Sequence, residues 1–332
     1  MASTTSVASI TTAYNAARVL PRQIDSLLRQ TRPLQEIIVV DNASSDDTRA
    51  LLAELYPQVT VLTMPENLGA AGAWSVGLEY AALQKRHDWV WAFDDDSVPG
   101  ENALAGLLEA AESSAAAEDV EGNNHDGRTG MIAVLPVHKK TGGCYPPLLW
   151  NEGFHKPPAE LLQQTVWFAD LAIASGLMVR RELVETIGLP RADFFMDFFD
   201  FEYCLRARAH GYRIAVASAV KLAHEVGEAR PVRLPGFSGL WPNHAPWREY
   251  YMSRNLAYVV WWLYPSAATK RAAIRHLVRH ACGSLLFGSE KLACVRKMAQ
   301  GFWDGRGARL GVRFLPQRSS PSMLSSEAGY SR

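Results

Sequence analysis

The apolar run Trp89-Val90-Trp91-Ala92-Phe93 ends abruptly in three consecutive carboxylates, Asp94-Asp95-Asp96, followed by Ser97. A stretch with no polar face has to be covered on both sides, which is the mark of a strand inside a parallel sheet. Parallel neighbours need crossover connections, so the chain must supply β-then-α units around this strand. Residues 7–12 are a β-branched run that leads into an amphipathic stretch reaching Gln30. Residues 36–40 form a second buried strand ending at Asp41-Asn42, and residues 44–48 offer N-caps for a helix through Leu55. Residues 59–62 read as a third strand, residues 67–72 open a helix to about Leu83, and another helix spans Glu101 to about Ala116. Four such units in about 115 residues specify an α/β fold with a doubly wound, mostly parallel sheet.

The distal half reads less regularly. Residues 113–128 are polar and aperiodic and are expected to be an exposed loop, with a strand returning at 131–137. A Gly/Pro-rich excursion over 141–158 carries no assignable element. Residues 174–179 read as a strand and 180–187 as a helix closed by Gly188 and Pro190. Next comes Phe194-Phe195-Met196-Asp197-Phe198-Phe199-Asp200-Phe201-Glu202-Tyr203, which becomes helical in spacing from Asp200 and stops at Gly211. Residues 212–220 give a further strand, with His224 beyond it.

Ligands of an open α/β sheet bind outside the carboxyl ends of its strands. Tyr14, Asp41, Asn67 and the acidic triplet all fall at that edge, which points to a nucleotide-binding crevice. Adjacent carboxylates raise the cost of ionising one another, and a cation offsets that repulsion. Oxygen ligands select a hard ion, Mg²⁺ or Mn²⁺, held by one or two carboxylates together with substrate phosphates. The plainer alternative is a solvated acidic turn in which Asp96 or Ser97 caps the following helix. Asp200, in a first helical turn among phenylalanines, is favoured as an anion by the helix dipole and disfavoured by its apolar neighbours. Its alternative is an N-cap, with Glu202 paired to Arg206 one turn on.

These pieces together resemble the inverting family 2 glycosyltransferases, which have the GT-A fold, over about residues 6–260. The resemblance rests on Val39-Val40-Asp41-Asn42-Ala43-Ser44-Ser45-Asp46, Glu66-Asn67-Leu68-Gly69, Phe93-Asp94-Asp95-Asp96-Ser97, Asp200-Phe201-Glu202 with Leu205-Arg206-Ala207-Arg208, and His224. Asn67-Leu68-Gly69-Ala70-Ala71-Gly72 and Arg248-Glu249-Tyr250-Tyr251-Met252-Ser253-Arg254-Asn255 look most like the bacterial rhamnosyl- and galactofuranosyltransferases. The resemblance implies a UDP- or dTDP-sugar donor, with Thr12, Tyr14, Asp41, Asn67, Asp94 and Asp95 on the nucleotide. It implies Asp94, Asp96 and His224 around a Mg²⁺ or Mn²⁺ ion, and Asp200 as the base that deprotonates an acceptor hydroxyl. Trp74, Asp197, Glu202 and Arg254 are then expected near the sugar or acceptor. Two departures stand out: Phe199 replaces an acid often found before the base, and Trp74 replaces a small residue after the glycines.

At 332 residues, with 48% apolar and 20% charged residues, the chain has ample material for a large core. Its net charge of zero is a cancellation: residues 1–268 carry 22 Lys/Arg against 31 Asp/Glu, and residues 269–313 carry 10 against 2. No nucleic-acid partner is expected. The expected organisation is a GT-A domain over 1–256, with nucleotide and acceptor halves at about 6–116 and 130–256. A helical, basic extension follows at 257–316 and a disordered tail at 317–332. The basic stretch beside Trp261-Trp262 reads either as an interfacial membrane anchor or as a helical cap on the catalytic body. Four scattered cysteines and the lack of a leader-like start suggest a reducing, cytoplasmic setting, with possible peripheral contact at the inner membrane face. The acceptor is expected to be a glycan or a polyprenyl-linked chain. Two other classes fit the acidic rim. A sugar-phosphate nucleotidyltransferase would want a Gly-rich phosphate loop after the first strand, and residues 11–17 contain no glycine. A non-enzymatic nucleotide-binding module would leave Asp200 and the distal half without a role.

Overall fold

The computed structural model describes residues 5–120, 127–138, 142–224, 229–234 and 237–316. Its first half alternates as the apolar periodicity requires: β1 (Val7–Ala13), α1 (Leu20–Leu28), β2 (Glu36–Asp41), α2 (Thr48–Leu55), β3 (Thr60–Thr63), α3 (Gly69–Leu78), β4 (Trp89–Asp94), β5 (Val98–Pro99) and α4 (Ala103–Val120). The second half contributes β6 (Arg128–His138), a hairpin of β7 (Leu149–Trp150) and β8 (Phe154–His155), a short α5 (Ala159–Leu162), β9 (Val166–Ala169) and β10 (Met178–Arg180). It continues with α6 (Arg181–Ile187), α7 (Phe199–Ala209), β11 (Tyr212–His224) and a second hairpin of β12 (Ala229–Leu234) and β13 (Phe237–Pro242).

One sheet runs in the order β3-β2-β1-β4-β10-β6-β11-β5, with β9 added on β11. β1 to β4 are parallel, as are β6 and β11, while β5, β9 and β10 run against them. Alternate residues feed cores on opposite faces: Ile38, Val90 and Ala92 on one, Val39, Trp91 and Phe93 on the other. Each buried leucine- or phenylalanine-sized side chain contributes roughly 1.5–3 kcal/mol, which is why the apolar runs commit so firmly to strands. β1 pairs with β2 on one side and β4 on the other, so the chain reverses its winding there and opens a crevice at the strand ends.

Three local expectations are corrected. α4 continues through Val120, so residues 113–120 are helical rather than loop; the run of alanines outweighs the two serines. Of residues 174–179 only the last two are in β10; 174–177 form a turn at Gly176, φ +84°. The strand expected to end at Val220 runs on to His224 after a register shift between Val216 and Lys221. The unassigned excursion over 141–158 contains the β7–β8 hairpin.

The basic segment is helical and packed. α8 (Pro246–Tyr258) continues through a π-helical stretch to Leu263, followed by α9 (Ala267–Phe287) and α10 (Lys291–Arg306). Ser266 and Thr269 form a reciprocal capping box at the start of α9. Gly301 and Gly305, one turn apart, let α10 press against the backbone of α8: a Cβ at either would lie 2.2 Å from the Tyr250 carbonyl or 2.0 Å from that of Arg254. Tyr250 donates to the buried Asp304 at 2.8 Å across this seam. Among the described residues no helix is long and apolar enough to cross a membrane.

Candidate active site

The strand registers set Asp94 opposite Thr12 and Asp41 opposite Ala13, so three parallel strands deliver polar residues to one rim. A cleft of about 470 Å³ opens there, walled by Thr12, Tyr14, Asn42, Asn67, Asp94 and Asp95 on the strand side. Asp197, Asp200 and Arg248 wall its other side. Asn42 knits the rim to α3: its Nδ2 donates to Asn67 Oδ1 at 3.0 Å, and its Oδ1 accepts from Leu68 N at 2.8 Å. Asp41 is fully buried; Oδ1 accepts from Ser44 N at 3.1 Å, Oδ2 lies 3.5 Å from Arg49 Nε, and Oδ2 has no hydrogen bond.

The acidic triplet is anchored through its backbone. Ser175 Oγ accepts from Asp94 N at 3.3 Å and bonds to Ser97 Oγ at 2.7 Å, while Asp95 Oδ2 accepts from Tyr14 N at 3.4 Å. Burial, followed by the charges of Asp94 and Asp96, pushes the Asp95 carboxyl up to about 7. Asp94 and Asp95 line the cleft, whereas Asp96 is half-buried beside Ser97 Oγ at 3.4 Å. The His224 side chain falls outside the described residues. Among the described residues no group of three or more His, Cys, Asp or Glu side chains is placed to hold a metal alone. The donor set still suits a hard divalent ion, which takes one or two carboxylates and draws its remaining oxygens from phosphate and water. The crowded negative charge on Asp95 is the field such an ion relieves.

Asp200 sits in the first turn of α7, with Phe201 N at 2.8 Å from Oδ1 and Ala174 N at 3.2 Å from Oδ2. Loss of water among the surrounding rings pushes its carboxyl up to about 7; these two N–H groups oppose the rise, and Asp197 and Asp94 add to it. A carboxyl titrating there is matched to taking a proton at neutral pH. Asp197 is held by both Nε and Nη2 of Arg248, at 3.0 and 2.8 Å, and in turn keeps that guanidinium firmly protonated.

The loop that presents these acids is strained. Phe195, Asp197 and Phe198 all have φ between 54° and 63°, a left-handed conformation that costs a non-glycine residue roughly 1 kcal/mol or more. Asn255 Nδ2 lies 2.6–3.0 Å from the carbonyls of Phe194, Met196 and Asp197, and Arg254 Nη2 donates to Phe194 O at 2.7 Å. Gly69, φ +72°, has to be glycine because a Cβ there would lie 2.1 Å from Phe195 O.

Three residues expected at the sugar or acceptor are placed elsewhere. Trp74 is 1% exposed and packs edge-on to Phe199 and Tyr203, behind the helix that carries Asp200. Glu202 is buried against Arg206 at 3.0 Å, whose guanidinium also holds the carbonyls of Ile187 and Leu189. Arg254 is fully buried and serves the loop. Tryptophan, glutamate and arginine near a motif are chemically suited to a sugar, but their side chains here point into packing. Conversely Ser175 and Arg248 line the cleft and Asn255 holds the loop, and the sequence did not single them out; Arg248 and Asn255 stood in the motif around Arg254, with nothing in their spacing to show which faced the cleft.

The solved structure of S. aureus TarS in complex with UDP superposes with a TM-score of 0.54 at 16% identity, covering 92% of this chain and 83% of that one. GalNAc-T7 with UDP, GalNAc and Mn²⁺ gives 0.55 at 16% identity, over 91% of this chain and 56% of that one. These likenesses show the GT-A fold. In sequence the chain is 26% identical to the dTDP-rhamnosyl transferase RfbF of Shigella flexneri, over 66% of this chain and 68% of RfbF. It is 27% identical to the galactofuranosyltransferase GlfT1 of Mycobacterium tuberculosis, over 77% and 83% respectively. A Glycosyl transferase family 2 domain matches residues 9–187, more than half of the 332 residues. With that match, and with strand-end acids and Asp200 in one cleft, the chain belongs to glycosyl transferase family 2 and is a glycosyltransferase.

Proposed function

We propose that the protein transfers a rhamnosyl or galactofuranosyl unit from a dTDP- or UDP-sugar to a hydroxyl of a glycan or lipid-linked acceptor, with inversion, in bacterial surface polysaccharide synthesis. The observation that carries this reading is Asp200, a carboxyl pushed to about 7 in the same cleft as the strand-end acids Asp94 and Asp95. Asp200 takes the proton of the acceptor hydroxyl as that oxygen attacks the anomeric carbon from the side opposite the nucleotide. Asp41 Oδ2, buried without a hydrogen bond, supports a pyrimidine N–H as its missing donor. Arg248 fixes Asp197 beside the base and keeps its charge there, which helps hold Asp200 in the neutral range. A bound Mg²⁺ or Mn²⁺ would be held by Asp94 and Asp96 with His224, and would neutralise the departing diphosphate. The relatives RfbF and GlfT1 support the two sugars named.

Incubation with Mn²⁺ and a panel of nucleotide sugars, read as nucleoside diphosphate release, tests the reading. Release from dTDP-rhamnose or UDP-galactofuranose, abolished by EDTA and by Asp96→Ala with the fold intact, is the expected result. Full activity in EDTA would remove the metal from the proposal.

A further inference from the structure

We propose that a cavity between the β7–β8 hairpin and the first half of α9 is an anion subsite for the diphosphate of a prenyl-diphosphate-linked acceptor. The cavity, of about 400 Å³, is lined by Arg271, Arg275 and Arg279, by His155 and His276, and by a single carboxylate, Glu152. The three arginines recur at every fourth residue and so share one face of α9. Among the described residues none of the three is paired with a carboxylate. Guanidinium groups fork onto phosphate oxygens in pairs, so neighbouring arginines one turn apart suit neighbouring phosphoryl groups better than a single small anion.

The cavity is built rather than incidental. Gly153 brings the hairpin against α9 so closely that a Cβ would lie 3.3 Å from Ala272 Cβ. Phe154 packs at 5.9 Å from Phe201, 6.1 Å from Phe198 and 6.3 Å from His276, tying the hairpin to the helix of the proposed base. An apolar trough of about 290 Å³ that includes Pro146, Pro147, Leu148 and Phe201 adjoins the catalytic cleft. It shares Pro136, Tyr145, Ile173 and Ser175 with the catalytic cleft and has Lys156 on its wall, next in sequence to His155. The Phe154–Phe201 contact joins a wall of the trough to a wall of the arginine cavity. Ile274 and Val278, 45% and 56% exposed, stand beside the arginines in α9 and offer an apolar run-off for a prenyl chain. That the occupant is an acceptor rests on the glycosyl-transfer reading; the binding of a diphosphate by the three arginines does not.

The test uses the full chain in EDTA, with no donor sugar, so that failure of transfer and failure of this site are separate results. Calorimetric titration with inorganic pyrophosphate and with farnesyl diphosphate should give one site per chain, with farnesol not binding. Arg275→Gln/Arg279→Gln should weaken both ligands at least tenfold with an unchanged melting temperature, since both side chains are exposed. Arg271→Gln alone should weaken them by a smaller factor, and Asp94→Asn/Asp96→Asn should bind as the wild type does. Pyrophosphate binding that survives the double arginine change, or that disappears with the aspartates, would overturn the proposal. So would a double variant that loses phosphatidylglycerol vesicles but keeps pyrophosphate, which would make the arginines a headgroup patch.

Discussion

At the scale of single residues the decisive group is Asp200. Its carboxyl is raised, so the folded state holds a proton that the unfolded chain releases at lower pH; this favours folding at acid pH and is lost as pH climbs through about 7. Asp200→Asn, which cannot ionise but turns an NH2 toward one of the two N–H groups, should therefore lose the wild type's decline in stability between about pH 4 and pH 8. Melting curves at pH 4 and pH 8 check this, since the unfolded chain begins to release its proton above about pH 4. The same substitution should lower kcat by about 10²–10⁴ and leave donor binding intact. In the wild type kcat/KM should rise with pH and level off above about 7. The place of Asp200 in the cleft was foreshadowed in the sequence, because an acid set among phenylalanines is costly to bury. Trp74, Glu202 and Arg254 misled for the opposite reason, because residue type does not tell which way a side chain points from its helix.

At the scale of elements the loop before α7 is the most exposed to failure. Three left-handed residues in four are held by Asn255 and Arg254 on α8, with short bonds such as Met196 N to Phe194 O at 2.7 Å inside the loop. Asn255→Ala should cost roughly 1–3 kcal/mol and cut kcat at least tenfold with donor KM nearly unchanged, measured by denaturant melts and steady-state kinetics. Gly305→Val should wedge α10 away from Arg254 O and destabilise by about 1–3 kcal/mol or more. The β-then-α units could be read from the sequence because burial on both faces leaves an unbroken apolar run. The turn at 174–177 could not: it resembles a strand in composition, and the bonds of Ala174 and Ser175 to Asp200 and Asp94 and of Gly176 N to Ala92 O draw it out of one.

At the scale of the whole molecule, an acidic body carries a basic helical extension whose outer surface is also apolar. Trp262, Ile274, Val278, Leu286, Leu292 and Trp303 are all exposed. Each lysine or arginine near an anionic surface contributes about 1 kcal/mol, and only some of the ten in residues 269–313 can face it at once. The expected result is co-sedimentation with phosphatidylglycerol vesicles at low salt, reversed at high salt, and little with phosphatidylcholine. Equal partitioning, or none, would leave these helices as a cap alone. The charge reversal along the chain was plain in the sequence, but the packing was not, because two glycines one turn apart reveal a close helix seam only once the partner helix is known.

The clamp on the loop has a consequence for synthesis. Arg254 also donates to Gly311 O, and Gly311 N returns a bond to Asp193 O at 2.8 Å, so the segment just before the loop is tied to residues more than a hundred positions later. A chain that stops short of residue 311 lacks both bonds, so a nascent chain is expected to form its sheet before this segment is fastened. A 1–310 truncation should keep its far-ultraviolet dichroism and lose most of its donor turnover; unchanged turnover would show that the tie is dispensable.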